Sequence, residues 1–97
     1  MNLNEKVILV SLRKIDVQGN EEYDVFFGKV SSYNKNTVIL IRQDGSEFSI
    51  PYDEECIEPA EEGFYELEDG STFDNPDFIA RFAVYRTEEA YKKHGTQ

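Results

Sequence analysis

Carboxylates are the side chains of this sequence that are numerous and close enough together to do chemistry or bind a partner. Residues 43–80 contain thirteen Asp and Glu residues and no Lys or Arg. The remainder of the chain holds seven acids and ten bases, so the formal net charge of −10 comes from this one segment. Such carboxylates can bind a basic protein, ligate a cation, or work in pairs as acid and base.

The spacing of these acids favours neither a cation site nor a carboxylate-based active site. The loop at residues 69–75 offers oxygen ligands but lacks the alternating acids of a calcium-binding loop. Residues 53–55 are consecutive acids, so their side chains should point in different directions. A chain of 97 residues also leaves little room for a sugar-cleaving cleft. We therefore expect no metal site, no cofactor and no enzymatic activity.

Nucleophilic catalysis has a single Cys–His pair to draw on, Cys56 and His94. His94 lies three residues from the end of the sequence, where its charge suits the last turn of a short helix. Cys56 lies between Glu55 and Ile57, and the nearby carboxylates should raise the pKa of its thiol and disfavour the reactive thiolate. We expect Cys56 to be a small apolar residue of the core.

Charge, cysteine usage and hydropathy also bear on partners and compartment. Nucleic-acid binding depends on Lys and Arg contacts to phosphates, and an anionic membrane surface attracts basic segments. The apolar run at residues 7–12 is too short for a membrane span or a signal-peptide core. A lone cysteine forms no disulfide within the chain. We expect a cytoplasmic protein that binds neither nucleic acid nor membrane; the oligomeric state stays open.

The acidic segment is interpreted most readily as a docking surface for a basic protein. Its densest part, residues 53–69, carries nine acids interleaved with aromatic and aliphatic residues. Aromatic side chains supply much of the energy of a protein interface, and charges set its association rate and register. The candidate partner-binding residues are Tyr52, Asp53, Glu54, Glu55, Glu58, Glu61, Glu62, Tyr65, Glu66, Glu68 and Asp69. The competing interpretation is a solvated face that only keeps the protein soluble.

Short β-strands separated by turn signals must position these residues. Strand patterns cover residues 7–17, 23–32, 37–42, 47–50, 56–57, 63–67, 72–73 and 78–85. A helix of about two turns is predicted over residues 88–93, with Thr87 as its N-cap. The predicted fold class is α+β, mainly β: a strongly bent antiparallel sheet or small partial barrel with a short C-terminal helix.

A single domain is expected over residues 1–97, with a barrel-like meander at 6–59 and extension strands and the terminal helix at 63–94. Gly28 is predicted to mark a bulge or sharp bend in the second strand. The pattern of apolar residues predicts a core of Val25 or Phe26, Val38, Leu40, Phe48, Ile50, Phe82 and Val84.

Four short motifs carry a resemblance to a known architecture: Phe27-Gly28-Lys29-Val30, Val38-Ile39-Leu40-Ile41, Asp44-Gly45, and Ile50-Pro51-Tyr52 before Ile57. With them, residues 23–59 resemble small five-stranded barrels of the Sm, Tudor and chromo type. The resemblance implies a bent second strand, a hairpin and a 3₁₀ turn in that order. It transfers no functional residue, because the Asn and Arg-Gly motifs with which Sm-type proteins bind RNA are missing here.

In size, charge and residue pattern the chain also looks like bacterial immunity proteins, which neutralise a toxin that is often a cationic nuclease. We therefore expect a non-enzymatic protein-binding module that docks an acidic, aromatic-studded face onto a basic protein. Its most concrete form is an immunity-type inhibitor of a bacterial toxin, whose acids mimic phosphates. The alternative is a small-barrel adaptor or oligomeric scaffold with no inhibitory role. A small carboxylate-based enzyme ranks last.

Overall fold

The fold is known from a computed structural model that describes residues 2–85. Every regular element within these residues is a β-strand. The eight strands are β1 (Val7–Ile15), β2 (Glu21–Tyr33), β3 (Thr37–Arg42), β4 (Glu47–Pro51), β5 (Ile57–Pro59), β6 (Phe64–Glu66), β7 (Thr72–Asp74) and β8 (Phe78–Tyr85). The mainly-β prediction is confirmed for this part of the chain, and the helix predicted over residues 88–93 lies outside the described residues.

Six of the strands in residues 2–85 form one sheet, the main sheet, in the order β4-β3-β2-β1-β8-β5. β1 pairs antiparallel with β2 and parallel with β8, so the sheet is mixed, and the prediction of a purely antiparallel sheet is wrong. It is not a closed barrel, because the described parts of its edge strands β4 and β5 do not pair with each other.

Asp77 fixes the direction of β8. The Val7 N–H donates to Asp77 Oδ2 at 2.9 Å, and the Asp77 N–H donates to the Val7 carbonyl at 2.9 Å. These bonds place the start of β8 beside the start of β1, so the two neighbouring strands run the same way. The local pattern of strands and turns contains no information about this contact.

The core lies on one face of the main sheet. Its buried residues are Leu3, Ile8, Val10, Leu12, Phe26, Val30, Val38, Leu40, Ile50, Ile57 and Ala80. The predicted burial is confirmed for Phe26, Val38, Leu40 and Ile50. Phe48 and Phe82 are half-buried, and Val84 is 40% exposed, so its predicted burial is wrong. Val84 lies beyond the part of β8 that β5 covers.

β2 bends where its register against β3 shifts, between Val30 and Ser32. The irregularity predicted at Gly28 is therefore found three residues later, at Ser31. Gly28 has a different role, because a Cβ atom added to it would lie 3.0 Å from the Leu40 Cβ atom. Glycine allows the side chain of β3 to approach the backbone of β2 closely.

β6 and β7 pair only with each other among the described strands, and we call residues 63–75 the hairpin. Phe73 of the hairpin packs on Phe27, with ring centroids 5.6 Å apart. Phe27 alternates along β2 with the core-facing Phe26 and Gly28, so its ring lies on the opposite face, which we call the outer face. The hairpin therefore packs on the outer face of the main sheet and helps bury Phe27, which is 2% exposed.

Candidate functional site

Six of the eleven predicted partner-binding residues fall into two groups near opposite ends of β2. The Tyr52 ring stacks on the Tyr33 ring at 5.9 Å between centroids, at the C-terminal end of that strand. Glu68 and Asp69 line a cavity together with Tyr23, near its N-terminal end. Tyr23 and Tyr33 are ten positions apart, which is roughly 30 Å measured along the strand. The acidic face predicted from the sequence is therefore split.

The first group lies in the turn between β4 and β5, where Asp53 accepts hydrogen bonds that hold the turn and Tyr52 donates one to Glu54. The Glu55 N–H donates to Asp53 Oδ1 at 2.9 Å, and the Cys56 N–H donates to the Asp53 carbonyl at 3.0 Å. The Tyr52 hydroxyl donates to Glu54 Oε1 at 3.3 Å. Desolvation and the neighbouring Glu54 carboxylate raise the pKa of the Tyr52 phenol. Glu54 and Glu55 are exposed to solvent.

Cys56 follows this turn and is poorly suited to nucleophilic chemistry. Its thiol donates to Asp53 Oδ2 at 3.4 Å. Burial raises the pKa of the Cys56 thiol, and the Asp53 carboxylate raises it further. The predicted suppression of the thiolate is confirmed, although Cys56 is half-buried rather than part of the core. Its candidate partner His94 lies outside the described residues.

The other five predicted residues lie between the two groups along the sequence, on β5, the loop after it and β6: Glu58, Glu61, Glu62, Tyr65 and Glu66. Glu58 is 3.5 Å from Arg81, but both side chains are more than half exposed, so this ion pair contributes little to stability. Glu61 and Glu62 are exposed. The Tyr65 hydroxyl donates to the Glu61 carbonyl at 2.8 Å. Tyr65, predicted as a binding aromatic, is thus half-buried and engaged within its own segment.

The second group lines a cavity between the turn of the hairpin and the start of β2. The cavity has a volume of about 540 Å³, and we call it the acidic cleft. Its walls are Tyr23, Asp24, Val25, Leu67, Glu68 and Asp69. This combination of groups suits a Lys or Arg side chain. The carboxylates bind its charge, the aromatic ring contacts the cation, and the apolar carbon packs on its aliphatic stem.

Two of the three carboxylates of the acidic cleft lack a cationic partner within the described residues. The Asp24 carboxylate lies 3.8 Å from Lys14 and 3.6 Å from Arg42, so its charge is already shared. Neither Glu68 nor Asp69 has a Lys or Arg within ion-pair distance in residues 2–85, although the Arg42 charge acts on Asp69 at longer range and helps to lower its pKa. These two residues therefore supply the negative charge that is available to a ligand.

Asp69 is held in position by the turn that it caps. The Ser71 N–H donates to Asp69 Oδ1 at 2.9 Å, and the Leu67 N–H donates to the Ser71 carbonyl at 2.8 Å. Gly70 adopts a φ of 89°, a left-handed conformation that glycine tolerates. Hydrogen bonds from the backbone and the hydroxyl of Ser71 hold the pKa of Asp69 below its usual value. Asp69 is therefore a fixed negative charge at neutral pH.

The exposed aromatic rings are ones that the sequence analysis did not select. Tyr23 is 63% exposed and Phe64 is 65% exposed, whereas Tyr52 and Tyr65 are half-buried. A signal for Tyr23 existed, because it lies among the acids Glu21, Glu22 and Asp24. This shorter acidic run lies outside residues 43–80, and three of the ten bases of the chain, Arg13, Lys14 and Lys29, lie within ten residues of it.

Comparison of the chain with protein-family models, with curated proteins and with solved structures finds no match. Across residues 2–85, no three His, Cys, Asp or Glu side chains are grouped so as to hold a metal ion. That part of the chain also contains no helix with the length and apolar character needed to cross a membrane. The functional assignment therefore depends on the geometry of the acidic cleft.

Proposed function

We propose that this protein is a non-enzymatic binding module whose acidic cleft receives a Lys or Arg side chain of a basic protein. The observation that carries the proposal is the meeting of Tyr23, Glu68 and Asp69 around one cavity. A cationic side chain placed there contacts two carboxylates without a cationic partner in the described residues and an exposed aromatic ring. Charge-assisted hydrogen bonds and a cation–π contact then act on the same group.

The two walls of the cleft come from distant parts of the sequence. Tyr23 belongs to β2, whereas Leu67, Glu68 and Asp69 belong to the turn of the hairpin. A ligand in the cleft is therefore held from two sides. The apolar carbon of Val25 and Leu67 packs against the aliphatic stem of a long basic side chain, whose charged head reaches the carboxylates.

The remaining acids act on the partner at longer range. Glu54 and Glu55 are exposed near the far end of β2, and Glu61, Glu62 and Glu66 are exposed on the loop after β5 and on β6. Exposed charges attract and orient an oppositely charged protein during encounter, and so raise the association rate more than they slow dissociation. In this proposal the acidic cleft supplies the specific contact and the other acids supply the attraction.

In its most concrete form, the proposal describes an immunity-type inhibitor acting in the cytoplasm on a cationic bacterial toxin. Carboxylates such as Glu68 and Asp69 would take the place that substrate phosphates occupy on the toxin. The acidity of the chain and its exposed aromatic residues support this form. Two statements about the fold remain proposals. One is that residues 23–59 resemble small barrels, and the other is that a short helix follows near the C-terminus. Neither assigns a functional residue.

A titration with a small cationic probe tests the proposal. The probe is the capped tripeptide Gly-Arg-Gly, and its neutral counterpart is Gly-Gln-Gly. The backbone amide resonances of the isotope-labelled protein should shift at Tyr23, Leu67 and Asp69 with the first peptide only. Shifts of equal size at Glu54 and Glu55 would show that the acids act as one diffuse charged surface. That result would contradict the proposal.

A further inference from the structure

A second cavity opens on the outer face of the main sheet, at the other side of the contact between Phe27 and Phe73. It has a volume of about 530 Å³, and we call it the apolar groove. Its apolar walls are Val7, Phe27, Ile41 and Phe73, which come from β1, β2, β3 and β7. The proposed function makes no use of this cavity.

A smaller cavity of about 170 Å³ lies between the apolar groove and the acidic cleft. It shares Phe27 and Arg42 with the groove, and it shares Asp69 with the cleft. The shared residues place the three cavities in a row, which we call the channel. In the part of the chain that the structure describes, the channel is bordered by β7 and the turn of the hairpin, and by no residue of β6.

The two ends of the channel differ in charge. The cleft end presents Glu68 and Asp69, whereas Lys29 and Glu5 line the apolar groove. Arg42 borders both the groove and the small cavity between the two ends, and it lies 3.6 Å from Asp24 of the cleft. The groove therefore has no excess of negative charge to attract a cation. Its half-buried residues Val7, Ile41 and Phe73 instead offer contact to an apolar side chain, whose burial is favourable in proportion to its area.

We infer that the channel binds an extended segment of the basic partner, with a Lys or Arg in the acidic cleft and a large apolar side chain in the apolar groove. The inference rests on the proposed function for its cationic end and adds a second, apolar anchor. Because one end of the channel is acidic and the other is apolar, the partner segment can lie in the channel in one direction only.

The separation of the two ends predicts the spacing of the two anchors. Among the residues of β2, those lining the cleft run from Tyr23 to Val25 and those lining the groove from Phe27 to Ser31, so the middles of the two stretches, Asp24 and Lys29, are five residues apart. Five residues of extended strand span about 16 Å, and an extended ligand covers this distance with the same number of residues. The partner segment therefore carries its basic and apolar residues about five positions apart.

Synthetic peptides built from Gly and Ser test this inference on the full chain. One peptide carries an Arg and a Phe five positions apart; a second replaces the Phe with Ser, and a third replaces the Arg with Gln. Binding is followed by the backbone amide shifts of the isotope-labelled protein. We expect the first peptide to shift amides at both ends of the channel and to bind about tenfold more tightly than the second. The second should shift only the cleft.

Two matched variants locate the apolar anchor. Ile39 and Ile41 are both half-buried on the outer side of β3, but Ile41 lines the apolar groove and Ile39 does not. Threonine keeps the β-branched shape that suits a strand. Ile41→Thr should weaken binding of the first peptide several-fold and leave the second unaffected. Ile39→Thr should change neither affinity.

Each alternative result has a definite meaning. If the first and second peptides bind equally, or the two variants behave alike, the inference is overturned while the proposed function stands as long as the Arg is needed. If exchanging Arg for Gln changes nothing, both the proposed function and the inference fail. If the groove amides shift on raising the protein concentration without peptide, the occupant is a second copy of the chain, and the inference is overturned.

Discussion

The ring of Phe73 lies against the ring of Phe27, with 5.6 Å between their centroids and 36° between their planes. This contact joins the hairpin to the outer face of the main sheet. The acidic cleft lies toward the turn of the hairpin, and the apolar groove borders the contact itself. The positions of both cavities therefore depend on one pair of aromatic rings from β2 and β7.

Replacing Phe73 with Ala should loosen the hairpin and leave the core of the main sheet folded. Because Phe73 is only half-buried, we expect a loss of about 2 kcal/mol in the free energy of unfolding, less than for a fully buried ring. The control is Phe64→Ala in the same hairpin, which should cost no more than about 0.5 kcal/mol because Phe64 is exposed. Urea denaturation followed by circular dichroism measures both, and equal losses would contradict the account.

Gly28→Ala should destabilise the protein although it changes only one methyl group. The new Cβ atom would lie 3.0 Å from the Leu40 Cβ atom, so the backbones of β2 and β3 must move apart. Overpacking of this kind typically costs about 1–3 kcal/mol. The matched control is Ser31→Ala at the irregular position of β2, where the side chain is exposed. A Gly28→Ala protein with the wild-type denaturation midpoint would refute the close approach.

Leu40 should be among the most sensitive core positions. It is fully buried, so Leu40→Ala removes apolar contact and leaves a cavity, at a cost of about 2–5 kcal/mol. Val84→Ala at the exposed end of β8 should cost less than about 1 kcal/mol. Denaturant midpoints decide the comparison, and a larger effect at Val84 would show that the core extends further along β8 than the described residues indicate.

The pKa of Asp69 should depend on the hydroxyl of Ser71. Hydrogen bonds from Ser71 lower this pKa below its ordinary value of 3.8 because they favour the ionised carboxylate. The folded-state pKa is depressed, so the bonds stabilise the fold above the unfolded-state pKa, and this stabilisation is lost as the pH falls through the folded-state pKa. Carboxyl resonances titrated by NMR should show that Ser71→Ala raises the pKa of Asp69. The matched variant Ser46→Ala should instead raise that of Asp44.

Local signals in the sequence were enough to find the strands and most of the turns. The Gly45 N–H donates to the Arg42 carbonyl at 2.9 Å, and Gly45 has a φ of 88°, as expected for the turn predicted from Asp44 and Gly45. Turn chemistry of this kind depends on three or four consecutive residues. It can therefore be recognised in a single sequence.

Contacts between distant residues set the rest of the fold and the site. The parallel pairing of β8 depends on bonds between Val7 and Asp77, seventy residues apart. Glu68 and Asp69 of the hairpin turn were predicted as binding residues from the sequence. Tyr23, which forms the opposite wall of the acidic cleft, was not, because its place there depends on where Phe73 packs on the main sheet. No local pattern encodes that position, because an apolar residue in a short strand fits either face of a sheet.

We propose that the acidic cleft, rather than the acidity of the whole segment, binds the basic partner. Two double variants separate these possibilities: Glu68→Lys with Asp69→Asn, and Asp53→Asn with Glu54→Lys. Both change the charge by the same amount. In both turns the Asn keeps an oxygen to accept the 2.9 Å bond from the amide two residues further along.

The measurement is the affinity of these two variants, by surface plasmon resonance, for the basic protein that the wild-type chain captures at low salt. The account predicts that the cleft variant binds more than about tenfold more weakly, whereas the turn variant loses less than about threefold, through a slower association rate alone. Equal losses in the two variants, or a larger loss in the turn variant, would contradict the account.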